Sequence, residues 1–380
     1  MTRKRLLVEG WRFIPHSYAL VAQAHCLSLL RRNDVELRFR DLPFHDRSWQ
    51  PVRGVFSQED ERALATLPAP EIGFEPEVTL QMTPEFSPPA VGRKVTFGTP
   101  EFRVVPAEWR GSAASAADLD ERVSVMTPSR WSALAFERFG FAPERIHVVP
   151  HGFDPELFRP DPASRDSARR RLGLTPESFV FLNMGAMTDN KGVALLIECF
   201  AAVTERHPSA RLILKGSDSL YRSQDLLWRN MSALDEASRK RVTDRLIYIG
   251  ETLSMAHLAA LFRAADCYVS PYLAEGFNMP VLEAAACGLP VICTGGGATD
   301  DFTDASFAWR IRSRAVHVRL SSAQLGDALM PDRDHLVSLM LEAAEDPAAM
   351  ALRGADGARY VGDRFTWDSV TNVLVDELFT

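Results

Sequence analysis

Two glutamates eight positions apart, Glu275 and Glu283, carry the strongest chemical signal in this chain. They lie in residues 271–294, PYLAEGFNMPVLEAAACGLPVICT, which read as strand end, loop, helix and next strand. A strand ends near Ser270, a loop carries Glu275 and Gly276, Pro280 suits a first helical turn, Gly288 suits its end, and Pro290 blocks continuation. That order puts both carboxylates near a strand's carboxyl end, Glu275 in the loop and Glu283 in the first turn. The amides of Phe277, Asn278 and Met279 would point out of the helix N-terminus, a natural anion site. Taken singly, Glu275 reads as a solvated loop acid and Glu283 as a first-turn carboxylate favoured by the helix dipole. Set together in this punctuation, they read as a ligand site. Lys191 precedes Gly192 at another helix start. A cation is disfavoured there, so an anionic ligand explains it better than a solvated surface position.

The elements that must hold these residues alternate along the chain. Strand-like runs are expected at 5–9, 35–39, 122–126 and 146–149, then at 179–183, 211–214, 246–249, 267–270 and 291–294. Helices are expected at 18–32, from Ser57, after Thr127-Pro128, and at 193–204, 255–264 and 279–287. Short apolar strands alternating with helices imply parallel sheets covered on both faces. Residues 68–106 are rich in proline and resist assignment. Residues 150–162 hold four prolines and read as a linker. The expected organisation is an N-terminal Rossmann-like domain over 1–160 and a second over 161–363, facing across a cleft. In such sheets ligands sit beyond the carboxyl ends of the strands.

The 380 residues carry 43 basic and 50 acidic side chains, a net charge of −7, which argues against nonspecific nucleic-acid binding. Five scattered cysteines with no C-x-x-C pair fit a reducing, cytoplasmic setting better than a disulfide framework or cysteine-zinc site. The basic start is followed by an apolar run that stops at Glu9, too short for a signal peptide. Asp118-Leu-Asp120 reads as a solvated face rather than a metal site, and Arg169-Arg-Arg171 as another solvated face.

The 271–294 stretch closely resembles the E-x7-E signature of the retaining, nucleotide-sugar-dependent glycosyltransferases of the GT-B fold, glycosyltransferase family 4. Val148-Val-Pro-His-Gly-Phe-Asp-Pro resembles that family's interdomain segment, and residues 181–192 its first strand-to-helix turn in the second domain. Residues 364–368 resemble the start of its closing helix, so the resemblance implies that 364–380 cross back onto the first domain.

The resemblance implies a function and a set of roles. A sugar moves with retention from a nucleotide-sugar donor, held mainly by the second domain, to a hydroxyl acceptor, a glycan, lipid or small molecule, held mainly by the first. Glu283 would accept hydrogen bonds from the ribose hydroxyls, Glu275 would contact the donor sugar, and Lys191 the diphosphate. The amides of Gly276, Phe277, Asn278 and Met279, with Gly185, would border the sugar and diphosphate. No cofactor and no metal ion are implied, because lysine and helix amides neutralise the leaving group. Peripheral contact with a membrane's inner face is left open.

Several positions depart from the family pattern. Ala186 replaces an arginine that helps hold the diphosphate. Lys215 would either replace it or be a strand-end lysine. Asn278 stands where glycine is usual. The family's donor-facing histidine is missing near 96–105; His16 would take part of that role or cap a helix. Trp11, Phe13, Trp49, Phe56 and Trp109 would line an acceptor site or belong to a core. Two other functions remain open at this point: a GT-B-like nucleotide-sugar epimerase or hydrolase, and a catalytically silent binding subunit.

Overall fold

The computed structural model describes residues 3–322 and 324–379. The chain divides into two compact units, one running to Gly152 and resuming at Phe365, the other Phe153–Arg364. The division falls before most of the proline-rich segment, and local contacts explain why. Phe158 packs edge-on against Phe262, and the Arg263 guanidinium donates to the carbonyls of Leu157 and Arg159, so these residues are fastened to the second unit.

The first unit is built on a six-stranded parallel sheet. Its strands are β1 (Lys4–Gly10), β2 (Val35–Asp41), β3 (Val78–Gln81), β4 (Arg93–Phe97), β5 (Val123–Thr127) and β6 (Ile146–Val148), in the order β2-β1-β3-β4-β5-β6. Two of them, β3 and β4, lie in the stretch that resisted assignment. Their short runs are almost fully buried but flanked by prolines and glycines, so neither alternation nor length marks them. The helix expected after Thr127-Pro128 is Arg130–Phe139, capped by Ser129, and Thr127 is still strand. The final helix, Trp367–Phe379, belongs to this unit. Its Thr371 meets His25 Nδ1 at 2.8 Å, and the Trp367 ring lies against His25 and His151.

The second unit has another six-stranded parallel sheet. Its strands are β7 (Val180–Met184), β8 (Arg211–Lys215), β9 (Leu246–Ile249), β10 (Cys267–Ser270), β11 (Val291–Thr294) and β12 (Ala308–Ile311). The order is β9-β8-β7-β10-β11-β12, in which successive strands run outward from β7 and then restart beyond it. The sheet's direction of winding therefore reverses between β7 and β10, and a crevice opens between the loops that leave those two strands. The strands β7, β8, β10 and β11 are short, largely buried and mostly apolar, with Phe181, Leu212, Leu214, Val269 and Ile292 in one core with the helix Val193–Arg206, while the edge strand β9 is partly buried throughout. Such runs are the signature of strands covered on both faces.

Two features depart from the sequence expectations. An antiparallel hairpin, β13 (Ser313–Ser321) and β14 (Gln324–Pro331), follows β12. Arg169, expected on a solvated face, is buried; its guanidinium donates to the carbonyls of Ala264, Thr175 and Ser178 and pairs with Asp266 at 3.1 Å. The same carboxylate accepts the Val180 amide, so the arginine anchors the start of β7.

Candidate donor site

The loops leaving β7 and β10 converge at the crevice of the second unit. After Met184 the chain runs through Gly185 and Ala186 to Met187, which is buried and held at φ +59°, a left-handed conformation costly for an unbranched but bulky residue. A short helical turn, Asp189–Lys191, follows, then Gly192 at φ +69° opens the helix Val193–Arg206. A Cβ at Gly192 would collide with the Pro271 carbonyl oxygen, so only glycine lets the two loops touch backbone to backbone. Gly192→Ala should therefore cost at least about 1 kcal/mol from its left-handed conformation alone, and more from the collision. Urea unfolding would read this directly; unchanged stability would contradict the packing described.

The second loop, Pro271 to Asn278, is fastened on three sides. Asn190 O accepts the amides of Leu273 at 2.7 Å and Ala274 at 3.3 Å, and Asn190 Nδ2 donates to the Ala274 carbonyl at 3.1 Å. On the β11 side, Thr294 Oγ1 donates to Tyr272 O at 2.7 Å. From the hairpin, the Leu329 amide donates to Leu273 O at 2.7 Å. These bonds bring Lys191 Nζ within 2.9 Å of Glu275 Oε2, with both side chains more than four-fifths buried. The Lys191 stem passes over Gly185, where a Cβ would come 3.8 Å from its Cγ. Sequence reasoning found both charged residues but missed Asn190; the Asn-Lys-Gly order at the helix start was the available signal.

Asn278 caps the helix Met279–Ala286 at φ +77°. A left-handed cap explains why glycine suits this position, and asparagine is the side chain that best tolerates it. Its Nδ2 donates to Ser270 Oγ at 2.9 Å, which turns the side chain back toward the strand end. Phe277 is buried and stacks on Phe302 at 4.5 Å between centroids. Pro280 lies in the first turn, as expected, and the first amides of a helix have no intrahelical partner.

Glu283 is the fifth residue of this helix, one turn deeper than expected, so burial and not the helix dipole governs it. Its carboxyl has no side-chain hydrogen bond or ion pair among the described residues, and desolvation pushes its pKa up to about 7. A half-buried acid with no side-chain partner, on the helix that follows the loop of a lysine–glutamate pair, is a pattern of ligand sites.

Lys215 is the last residue of β8 and is buried. Its ammonium donates to the carbonyl of Gly216, and desolvation lowers its pKa to about 8, against the pull of Asp218 and Glu251. These are the contacts of a strand-end lysine. In the first unit, His16 caps the helix Ser17–Leu30, its Nδ1 accepting the Tyr18 amide at 3.2 Å, which leaves the ring proton on Nε2. Burial, with His45 nearby, lowers its pKa to about 4, so it is neutral at pH 7. It sits among Trp11, Tyr18 and Trp49, with ring centroids 5.2–5.4 Å away. Trp11 is buried; Trp49 is partly exposed. Among the described residues no group of three or more histidines, cysteines and carboxylates is arranged to hold a metal, and no helix is long and apolar enough to cross a membrane.

Residues 178–309 match the family model described as "Glycosyl transferases group 1". Mannosylfructose-phosphate synthase of Agrobacterium fabrum is 31% identical over 176 residues, 46% of this chain and 37% of that protein. D-inositol 3-phosphate glycosyltransferase 1 of Catenulispora acidiphila is 33% identical over 198 residues, 50% of this chain and 45% of that protein. The matched segment spans less than half the length of either relative. The solved structure of Anabaena Alr3699/HepE in complex with UDP and glucose is similar with a TM-score of 0.68 over 99% of both chains, at 16% identity. The likeness is one of fold: the two parallel-sheet units are those of GT-B structures.

Proposed function

We propose that this chain, whose residues 178–309 match the model of the glycosyl transferases group 1, moves a sugar from a nucleotide-sugar donor to a hydroxyl acceptor with retention of anomeric configuration. The observation that carries the proposal is the Lys191–Glu275 pair at the β7/β10 crevice, with Glu283, which has no side-chain partner, on the helix that follows. A cation, a set of helix-terminal amides and two carboxylates within one crevice suit a ligand that is anionic at one end and rich in hydroxyls at both sides of that charge. A nucleoside diphosphate sugar has that form.

In this reading Glu283 accepts the vicinal ribose hydroxyls, whose two donors match its two oxygens. Lys191 and the amides at the start of the Met279–Ala286 helix take the diphosphate. Glu275 faces the sugar. As the bond from the anomeric carbon to the diphosphate oxygen breaks, negative charge grows on that oxygen, where Lys191 stabilises it. The acceptor oxygen bonds to the anomeric carbon from the same face, and its proton passes to the departing diphosphate oxygen. The protein contributes position and charge rather than a base. The acceptor belongs to the first unit, and the whole acts at a cytoplasmic site.

Turnover of UDP-glucose and GDP-mannose with and without added sugars and polyols tests the reading. A transferase forms a glycoside; an epimerase or hydrolase consumes donor without one; a silent subunit consumes none. Since Lys191 and the helix amides supply the positive charge, activity should survive EDTA. Loss on chelation with recovery on magnesium or manganese would overturn that part of the proposal.

A further inference from the structure

Lys191 and Glu275 come from different loops, and each is preceded by a residue of the same hydrogen-bonded junction. Asn190 stands before Lys191, and Ala274 before Glu275. The two peptides are joined both ways: the Ala274 amide donates to Asn190 O at 3.3 Å, and Asn190 Nδ2 donates to Ala274 O at 3.1 Å. The Leu273 amide adds a bond of 2.7 Å to the same Asn190 carbonyl. The asparagine side chain is itself held, because Thr188 Oγ1 donates to Asn190 Oδ1 at 2.7 Å. On the far side of Lys191, Gly192 touches the Pro271 backbone. The peptide on which Glu275 hangs is thus bonded, side chain and backbone, to the residue next to Lys191.

We propose that Asn190 is a positioning residue that sets Glu275 against Lys191 and thereby governs the rate of sugar transfer rather than the affinity for the nucleotide. The proposal rests on the donor-site reading above. Its logic is geometric. Lys191 stays on its own loop whatever residue 190 is, so the diphosphate keeps its cation. The Ala274 carbonyl, by contrast, loses a donor when Nδ2 is removed, and Glu275 is one bond further along. A carboxylate that must follow a sugar through its transition state pays for about 1 Å of misplacement with up to ~10²-fold in rate.

The test uses Asn190→Ala, Asn190→Asp and Thr188→Val in the full chain, each also combined with Glu275→Gln. Asn190→Asp keeps the acceptor for Thr188 but replaces the donor to Ala274 with a negative charge, so the affinity criterion is read on the uncharged Asn190→Ala and Thr188→Val. Thr188→Val loosens the asparagine from behind and keeps the proposal open to refutation should both Asn190 variants fail to fold. UDP and GDP serve as binding probes, and whichever of UDP-glucose and GDP-mannose the wild type consumes serves for kinetics. The expected result is nucleotide affinity within about threefold of wild type with a maximal rate at least ~10-fold lower. In the Glu275→Gln background the Asn190 substitutions should cost less than about twofold more, since residues that act through one another are not additive. Full additivity with Glu275→Gln, or an equal loss in affinity and rate, would overturn the proposal. A wild-type chain that binds no nucleotide would instead overturn the donor-site reading, and the role of Asn190 with it.

Discussion

Lys191→Ala should lower turnover by roughly 10²-fold or more, the scale of removing one preorganised donor from a developing oxyanion. The lysine enters the crevice with its stem over Gly185 and its charge more than four-fifths shielded from water. In that setting its interaction with a diphosphate is screened little, and no reorganisation is needed as charge grows on the leaving oxygen. The substitution also takes the Lys191 cation away from Glu275 and leaves that carboxylate's charge facing an anionic diphosphate. Both effects oppose the reaction. Near-normal turnover in a folded Lys191→Ala protein, checked by saturating kinetics, would remove Lys191 from the mechanism.

Glu275 and Glu283 should separate cleanly when each is changed to glutamine. Interactions equal in ground and transition states affect binding, and those that strengthen in the transition state affect turnover. Glu283→Gln should therefore weaken nucleotide binding. Glu275→Gln should leave that binding equal or tighter, because it frees Lys191 from an ion pair, while cutting the maximal rate. The acid chemistry of Glu283 adds a second axis. Its pKa of about 7 means that the empty site holds a protonated carboxyl below that pH. The hydroxyls of a ribose need an acceptor, so binding favours the carboxylate, and affinity should be lost as pH falls through about 7. For folding the sign is opposite: the native state binds this proton more tightly than the unfolded chain, so the group favours folding at low pH and loses that contribution as pH rises to about 7. Calorimetry with UDP-glucose or GDP-mannose, whose diphosphates do not titrate in this range, isolates the effect, and Glu283→Gln should flatten the profile. A wild-type profile already flat between pH 6 and 8, or nucleotide binding abolished by Glu275→Gln but untouched by Glu283→Gln, would reverse the orientation of the ligand.

Much of the second unit was legible because its strands are short apolar runs closed by glycine or proline. The expected strands at 246–249, 267–270 and 291–294 coincide with β9, β10 and β11. Elsewhere the physics that decides the structure is nonlocal. β3 and β4 are too short to show a period, and only pairing with β1 and β5 marks them as strands. Arg169 looks like surface in a run of three arginines, yet it is buried and four acceptors sit around it in the fold. The first strand of the hairpin after β12 alternates weakly because most of its side chains are exposed. At the site, residue types and spacing gave away the charged groups but not their geometry. That Asn278 occupies a left-handed cap follows from φ, and that Asn190 joins the two loops follows from contacts between residues more than eighty positions apart.

The central claim is that the β7/β10 crevice holds a nucleoside diphosphate, and thermal unfolding of the full chain with UDP, GDP and ADP tests it most directly. A ligand at 100 times its dissociation constant adds about 2.7 kcal/mol to the native state, enough to raise the midpoint by several degrees. The account predicts such a rise with at least one of the three at millimolar concentration, and a much smaller rise with the same nucleotide in folded Lys191→Ala and Glu283→Gln. No rise with any of them, or the same rise in wild type and both variants, would contradict it.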